Sequence, residues 1–442
     1  VPNYRDPLKP EHLYPVYKVQ TCSGQPLEVT TASGNVVNYQ PAGMAGDAFG
    51  RTRVSAPLTL FDSSHRYHDN GLWNTSSGTG GTVTFNANQG LVDLAVTTTS
   101  GSQVIRETNK VCSYQPGKSL LVMSTFVMNT PKANLRQRVG YYGANNGLYL
   151  ELSGTSAPAF VERSSVSGSV ANTSVSQANW NIDTLDGTGP SGITLDLTKA
   201  QILWFDIEWL GLGTVRAGFI IDGRFIHCHS FHHANRIAST YITTASLPLR
   251  YEIENLGTTA SSSTLKQVCS TVLSEGGYEL RGAQSTIGTP VASPYDLTNA
   301  STFYPIASIR LKASPDRLDA IVILTALSIM GITNNASYNW RVTAGGTTTG
   351  GSWVSAGDDS SVEYNITGTS FAVGTGRHLA SGFTNGSNQG SQVVDILKEA
   401  LFKFQLERNG LTSTPFELTL TVASEDPGAD VLATLDWEEI SR

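Results

Sequence analysis

Residues 201–231 read QILWFDIEWLGLGTVRAGFIIDGRFIHCHSF, and this stretch decides the fold class. Leu203, Phe205, Ile207 and Trp209 alternate with Trp204, Asp206 and Glu208. A period of two belongs to a strand, whose successive side chains point to opposite faces. Gly211 and Gly213 break the run, and a second apolar run follows. Asp222-Gly223 then supplies residues that tolerate the positive φ of a tight hairpin turn. The prediction is a three-stranded antiparallel meander over 201–231.

The same grammar extends in both directions. GTVTFNA at 81–87 and LVDLAVTT at 91–98 read as a hairpin across a short polar turn. SLLVMSTFVMN at 119–129 is apolar on both faces, which predicts a central strand. LRQRVGYYG and NGLYLELSG meet at an Asn146-Gly147 turn signal. Many short strands with frequent turns predict a sandwich, and the order of features resembles a jelly roll of the concanavalin type. Residues 279–300 are rich in Gly, Pro and Ser and read as a linker. A second β-rich domain is expected over 301–442, with AIVILTALSIMGI at 320–332 as a buried strand or two. One amphipathic helix is expected from Val393 to Arg408. Val394, Leu397, Leu401 and Phe404 fall at helical spacing there, with Ser391 before them and Asn409-Gly410 after.

Composition agrees with an all-β protein. Of 442 residues, 15% are charged, against roughly 25% for typical domains. The 43 glycines and many Ser and Thr residues crowd the turns. A net charge of −7 argues against a nucleic-acid partner, because phosphate binding needs concentrated Lys and Arg. No run approaches the roughly 20 apolar residues of a membrane-spanning helix, and residues 1–20 hold no secretory h-region. Cys22, Cys112, Cys228 and Cys269 match no metal-binding spacing; free thiols and one or two disulfides both stay open.

Residues 1–46 contain Pro2, Pro7, Pro10, Pro15, Pro26 and Pro41, which exclude a helix or a central strand. This segment is expected to be an extended arm lying on a neighbouring subunit, or else a disordered tail. It leads into DAFGRTRVSAPLTLFDSSHRYHDNGLWN at 47–74. The AFGRxRVS run, the P-x-T-L-F-D that follows and the later W-N resemble the opening of virion structural proteins of tailed bacteriophages, especially marine and cyanobacterial phages. The resemblance is tight over these residues and continues as β-rich texture to about Tyr278. It implies a protein of the assembled virion, put together in the host cytoplasm: a capsid decoration, tail, neck or fibre component. Residue patterning divides the chain into the arm over 1–46, a sandwich over 47–278, the linker over 279–300 and the C-terminal domain over 301–442. The partners that the resemblance implies would be other copies of the chain and other virion proteins, in a homo-oligomer. Phe49, Arg51, Arg53 and Phe61 become the candidate interface residues.

Three chemical readings compete with that role. In HCHSFHH at 227–233, His227 and His229 stand at i,i+2, where two imidazoles of one strand face can chelate Zn(II) or Ni(II), with His65 or His68 as a third ligand. The alternative is a polar strand end with ordinary histidines. Asp206 and Glu208 lie about 6.5–7 Å apart by Cα on one strand face, and jelly-roll glycosidases place a carboxylate pair in this way. Their pattern needs a further Glu where this chain has Leu203 or Gln201, so the nucleophile is missing and no enzyme is expected. Trp204, Asp206 and Glu208, helped by Tyr141, Tyr142 and the Asn145–Asn146 turn, could form a lectin-like site for host surface glycans. There is no Walker loop, no G-x-G-x-x-G after a strand and no H-E-x-x-H, and no cofactor is expected.

Overall fold

A computed structural model describes residues 28–30, 36–38, 57–69, 71–386, 392–394 and 403–441. Among the described residues the architecture is two antiparallel β-sandwiches in series.

The first is a jelly-roll-like sandwich of a seven-stranded and an eight-stranded sheet. The front sheet runs in space as Ala171–Ser176, Ala159–Ser164, Gly147–Ser153, Leu135–Tyr142, Leu249–Asn255, Gln103–Thr108 and Trp73–Ser77. The back sheet runs as Arg224–Phe231, Val215–Ile221, Gln201–Ile207, Ser119–Val127, Ser263–Glu275, Leu91–Val96 and Gly81–Asn86, with Leu58–Ser64 also paired on Ser263–Glu275. The expected meander, the 81–98 hairpin and the central position of Ser119–Val127 are all present. At the meander's turn Asp222 and Gly223 take φ of 51° and 72°, the conformation a two-residue hairpin turn with matching twist demands. Leu203, Phe205 and Ile207 point into the space between the sheets and join Val139, Phe160 and Phe219 in the main core. Cys112 and Cys228 are buried free thiols and Cys269 is a half-buried one. Cys22 lies outside the described residues.

The second sandwich packs a five-stranded sheet, built around Ala429–Ser441 and Ile321–Gly331, on a six-stranded one, built around Tyr304–Leu311, Leu418–Ser424 and Ser337–Ala344. Two expectations are corrected here. The stretch read as a linker contributes strands: Ala283–Gly288 and Tyr295–Leu297 both pair with Ala429–Ser441. Its small polar residues mark an outer strand with one face to water, which composition alone does not separate from a linker. The expected helix over 393–408 is not formed at either of its described ends. Gln392–Val394 pairs with Ile321–Gly331. Phe404 and Leu406 are buried two residues apart, with Leu324 N–H donating to the Phe404 carbonyl and Leu406 N–H to that of Val322. Residues spaced for a helix also contain pairs spaced for a strand, and an open sheet edge offers backbone partners that override the weak propensity. Residues 395–402 lie outside the described residues.

In the Pro-rich lead, Glu28–Thr30 and Val36–Asn38 form a small hairpin. The rest of the arm lies outside the described residues, as do the proposed interface residues Phe49, Arg51 and Arg53. The fourth of that set, Phe61, is 8% exposed and packs edge-on against Trp73 in the main core, so its side chain serves the fold.

The two sandwiches are joined by a packed junction. Val111 of the first meets Ile321 and Ile323 of the second, with Leu280 and Ile440 against them. Gln405 Nε2 donates to the Val111 carbonyl at 3.0 Å.

Candidate functional site

The strand Gln201–Ile207 places its chemistry-bearing residues differently from the lectin or glycosidase reading. Trp204 is fully buried. Its indole N–H donates to the Phe219 carbonyl at 3.2 Å, and its ring packs on Phe225 and His227 with centroids 5.8 Å away. The space for it comes from Gly218 on the neighbouring strand, where a Cβ would sit 2.8 Å from Trp204 Cζ2. No face of this indole is open to a sugar. Asp206 is buried and stands directly across the ladder from Arg216, whose Nε donates to Oδ2 at 2.7 Å. Glu208 is buried close to the Tyr114 hydroxyl. The carboxylates are therefore committed inside the protein, and the acid/base pair does not face a cleft.

The histidine pair is separated by a β-bulge. Ala217 opposes His229 and Gly218 opposes His227, so Cys228 is the extra residue on its strand. A bulge reverses the alternation locally. His227 turns outward against Trp204, with Nε2 2.9 Å from Ser230 Oγ, while Cys228 points into the core. His229 lies on the core side against Phe231, and its Nδ1 accepts the Asn181 N–H. The two imidazoles thus occupy opposite faces and do not chelate one ion. The other proposed ligands, His65 and His68, sit on the loop beside Asp69 and Arg106. Among the described residues no group of three metal-type side chains converges.

Burial above all holds three of these histidines far below the ordinary value. His65 falls to about 4, with the Arg106 charge adding to the effect. His227 falls to about 4, helped by Arg216, and His229 to about 4, helped by His232. The folded chain binds these protons less readily than the unfolded one, so stability rises with pH between about 4 and 6.5. The expected result is a melting temperature that is flat above pH 7 and falls by roughly 10 °C towards pH 4. His65→Phe should reduce that fall. A scan of melting temperature against pH checks both, and a curve flat down to pH 4 would contradict the assignment.

The polar network that the sequence reading missed lies on the outer face of the front sheet. Register places Glu107 opposite Arg250, Glu252 and Glu151 on either side of Arg138, and Glu254 opposite Arg136. Arg138 Nε donates to Glu151 at 2.6 Å and its Nη1 to Glu252 at 3.2 Å. Arg250 lies 3.4 Å from Glu107 and 3.3 Å from Glu252, and Arg136 pairs with Glu254. Beneath the guanidinium groups lie Tyr142 and Tyr149, both fully buried. Arg163 stacks over both rings at 5.5 and 5.2 Å, Arg250 over Tyr142 and Arg138 over Tyr149. Tyr142 is thus roofed by cations. Tyr141 faces the core, where its hydroxyl donates to the Ala245 carbonyl at 2.8 Å. Asn146 is buried and staples two loops through Thr243 and Ser165. A signal for this face was present: charged residues alternate in LRQRV at 135–139 and in LRYEIE at 249–254.

The network continues into the second sandwich. Arg408 reaches Glu107 at 2.8 Å, the Thr108 carbonyl at 2.8 Å and Asp319 at 3.0 Å. Asn74 Nδ2 donates to the Arg408 carbonyl, and Asn109 Nδ2 to Glu407 at 2.8 Å. Burial pushes the Glu107 carboxyl up, against the pull of Arg408 and Arg250, and pushes Lys110 down, against that of Glu407. What this arrangement does chemically is tie the two bodies together, chiefly through the buried Arg408–Glu107 pair.

No protein-family description matches the chain. No curated protein matches it either. Among solved structures, the chain is similar to a Bacillus licheniformis β-glucanase at 13% identity, over 48% of this chain and 96% of that one, with a TM-score of 0.31. It is also similar to a legume lectin-like domain from Entamoeba histolytica at 10% identity, over 50% and 97% of the two chains, with a TM-score of 0.29. A third is the CBM2 module of the evolved Dit of Lactobacillus casei BL23 phage J-1, at 8% identity, over 51% and 99%, with a TM-score of 0.32. Likenesses at this level carry no argument about substrate or partner.

Proposed function

We propose that this chain is a structural component of a tailed-phage virion that works through subunit interfaces. The observation that carries the reading is the internal use of its charges. The carboxylates and guanidinium groups of the front sheet and the junction neutralise one another within the chain. The outermost front strand, Ala171–Ser176, presents Asn172, Thr173 and Ser174 to solvent. A rigid double sandwich with weakly charged Ser, Thr and Asn surfaces suits repeated subunit packing by hydrogen bonds. The resemblance of residues 47–74 to tailed-phage virion proteins points the same way, and the Pro-rich arm before it would add contact area by ordering on a neighbour. An exterior accessory position on the particle is the reading we favour for this β-rich chain.

The expected result is a defined homo-oligomer in solution that dissociates when residues 1–46 are removed. Light scattering on the full chain and on the truncated chain checks it. A monomer in both forms, together with absence of the chain from purified particles by immunogold imaging, would sink the proposal.

A further inference from the structure

Between the two sandwiches lies a crevice of about 810 Å³. One wall is built from Asp69, Gly71, Asn74 and Asn109; the other from the Gly345–Thr347 turn, Gly374, Thr375 and the 414–417 segment. Its formal charges are largely consumed. Arg106 holds Asp69 through two bonds of 2.6 and 2.7 Å. Arg377 pairs with Glu407, and Lys110 approaches the same carboxylate at 3.5 Å. Arg310 donates to Glu363 at 2.6 Å. Glu417 accepts the Thr348 N–H at 2.7 Å. The chemistry left over is hydrogen-bonding capacity without a dominant sign.

A buried polar group beside the crevice is also left over. Asn109 is 4% exposed and lines the crevice; its Nδ2 is used by Glu407, but its Oδ1 has no partner among the described residues. A buried acceptor left alone is uncommon and asks for a donor. Glycine backbone at 345, 346 and 374, all at positive φ, brings peptide groups to the surface of the crevice. Phe416, half-buried, adds an apolar ring, while Trp73 is packed by Phe61, Tyr251 and Arg106.

These features select among ligand classes. An anion would meet Asp69, Glu407 and Glu417, and among the described residues the nearby cations Arg106, Arg310, Arg377 and Lys110 are already paired. An apolar ligand would strand the polar walls. A hydroxyl group both donates and accepts, so it fits carboxylate and amide acceptors and backbone donors alike, and the C–H face of a pyranose ring fits an aromatic edge. We propose that the crevice between the sandwiches binds a short neutral saccharide. The site is separate from Trp204 and its strand, and it does not depend on the assembly role proposed above: oligomer formation and sugar binding can fail independently.

The test is calorimetric titration of the full chain with neutral gluco-, galacto-, manno- and N-acetylglucosamine oligomers and with an acidic uronic-acid oligomer. Saturable binding of a neutral oligomer with a dissociation constant on the order of 1 mM is expected. Thr375→Trp and Thr347→Trp, at exposed positions lining the crevice, should each weaken it by about tenfold or more without moving the melting temperature. If one variant fails to fold, the other decides. Retention on the same sugar as an immobilised polysaccharide identifies a surface glycan as the source; binding of the free sugar alone identifies a small molecule. Failure of every neutral oligomer to bind below about 10 mM, binding unchanged in both tryptophan variants, or preference for the acidic oligomer each overturns the proposal.

Discussion

Arg408→Ala is expected to cost about 3–5 kcal/mol and to split unfolding into two transitions. Arg408 is 3% exposed and ties Glu107 and Thr108 of the first sandwich to Asp319 of the second. Its removal strands the Glu107 carboxylate in the junction, where among the described residues Arg250, at 3.4 Å, is the cation left to answer it. Breaking a buried pair from one side is far more harmful than removing both charges, because the survivor keeps its desolvation penalty. The contact of Val111 with Ile321 and Ile323 and the remaining Gln405–Val111, Asn109–Glu407 and Lys110–Glu407 bonds are small beside the two main cores, so they should not keep the bodies melting as one. Differential scanning calorimetry is the measurement. A single transition in the native chain and two in the variant is the expected result, with Glu107→Gln in the same chain recovering part of the loss. A variant that melts in one step within about 1 kcal/mol of the native chain would show that the junction is held by something else.

Trp204→Ala is expected to lose about 3–5 kcal/mol of stability, the range of large-to-small changes at buried aromatic sites. The indole fills the space over Gly218, between Phe225 and His227, and its N–H satisfies the Phe219 carbonyl. Alanine leaves a cavity and removes that hydrogen bond. Chemical denaturation of the purified variant reads the loss directly. The same variant separates the structural role from a sugar platform. A stable Trp204→Ala chain that had lost glycan binding would contradict the burial described above, whereas a destabilised chain with any crevice binding intact agrees with it.

The main strands were legible because their signals are local. Alternation in QILWFDI, doubly apolar SLLVMSTFV and the Asp222-Gly223 turn act over a few residues, and each is answered by the observed pairing. The misreadings share a cause. Residues 283–288 and 392–394 carry weak patterns, and their state is set by the backbone of Ala429–Ser441 and Ile321–Gly331, far away along the chain. At 227–229 the pattern was strong but the register was not visible: one extra residue opposite Ala217 and Gly218 sends His227 and His229 to opposite faces. No single-strand pattern contains that information, because a bulge is a property of two strands.

Charge followed the same division. Composition alone showed that the chain is weakly charged, with 15% charged residues. It also settled the class of fold, since β-patterned runs broken by glycine-rich turns have few other ways to bury their apolar faces. Only the tertiary structure decided which charges meet. Glu107 and Arg408 are 301 residues apart by number, and their approach depends on how two separate sandwiches dock. Burial then converts them from surface groups into a joint, because a desolvated pair must stay together while a hydrated one need not.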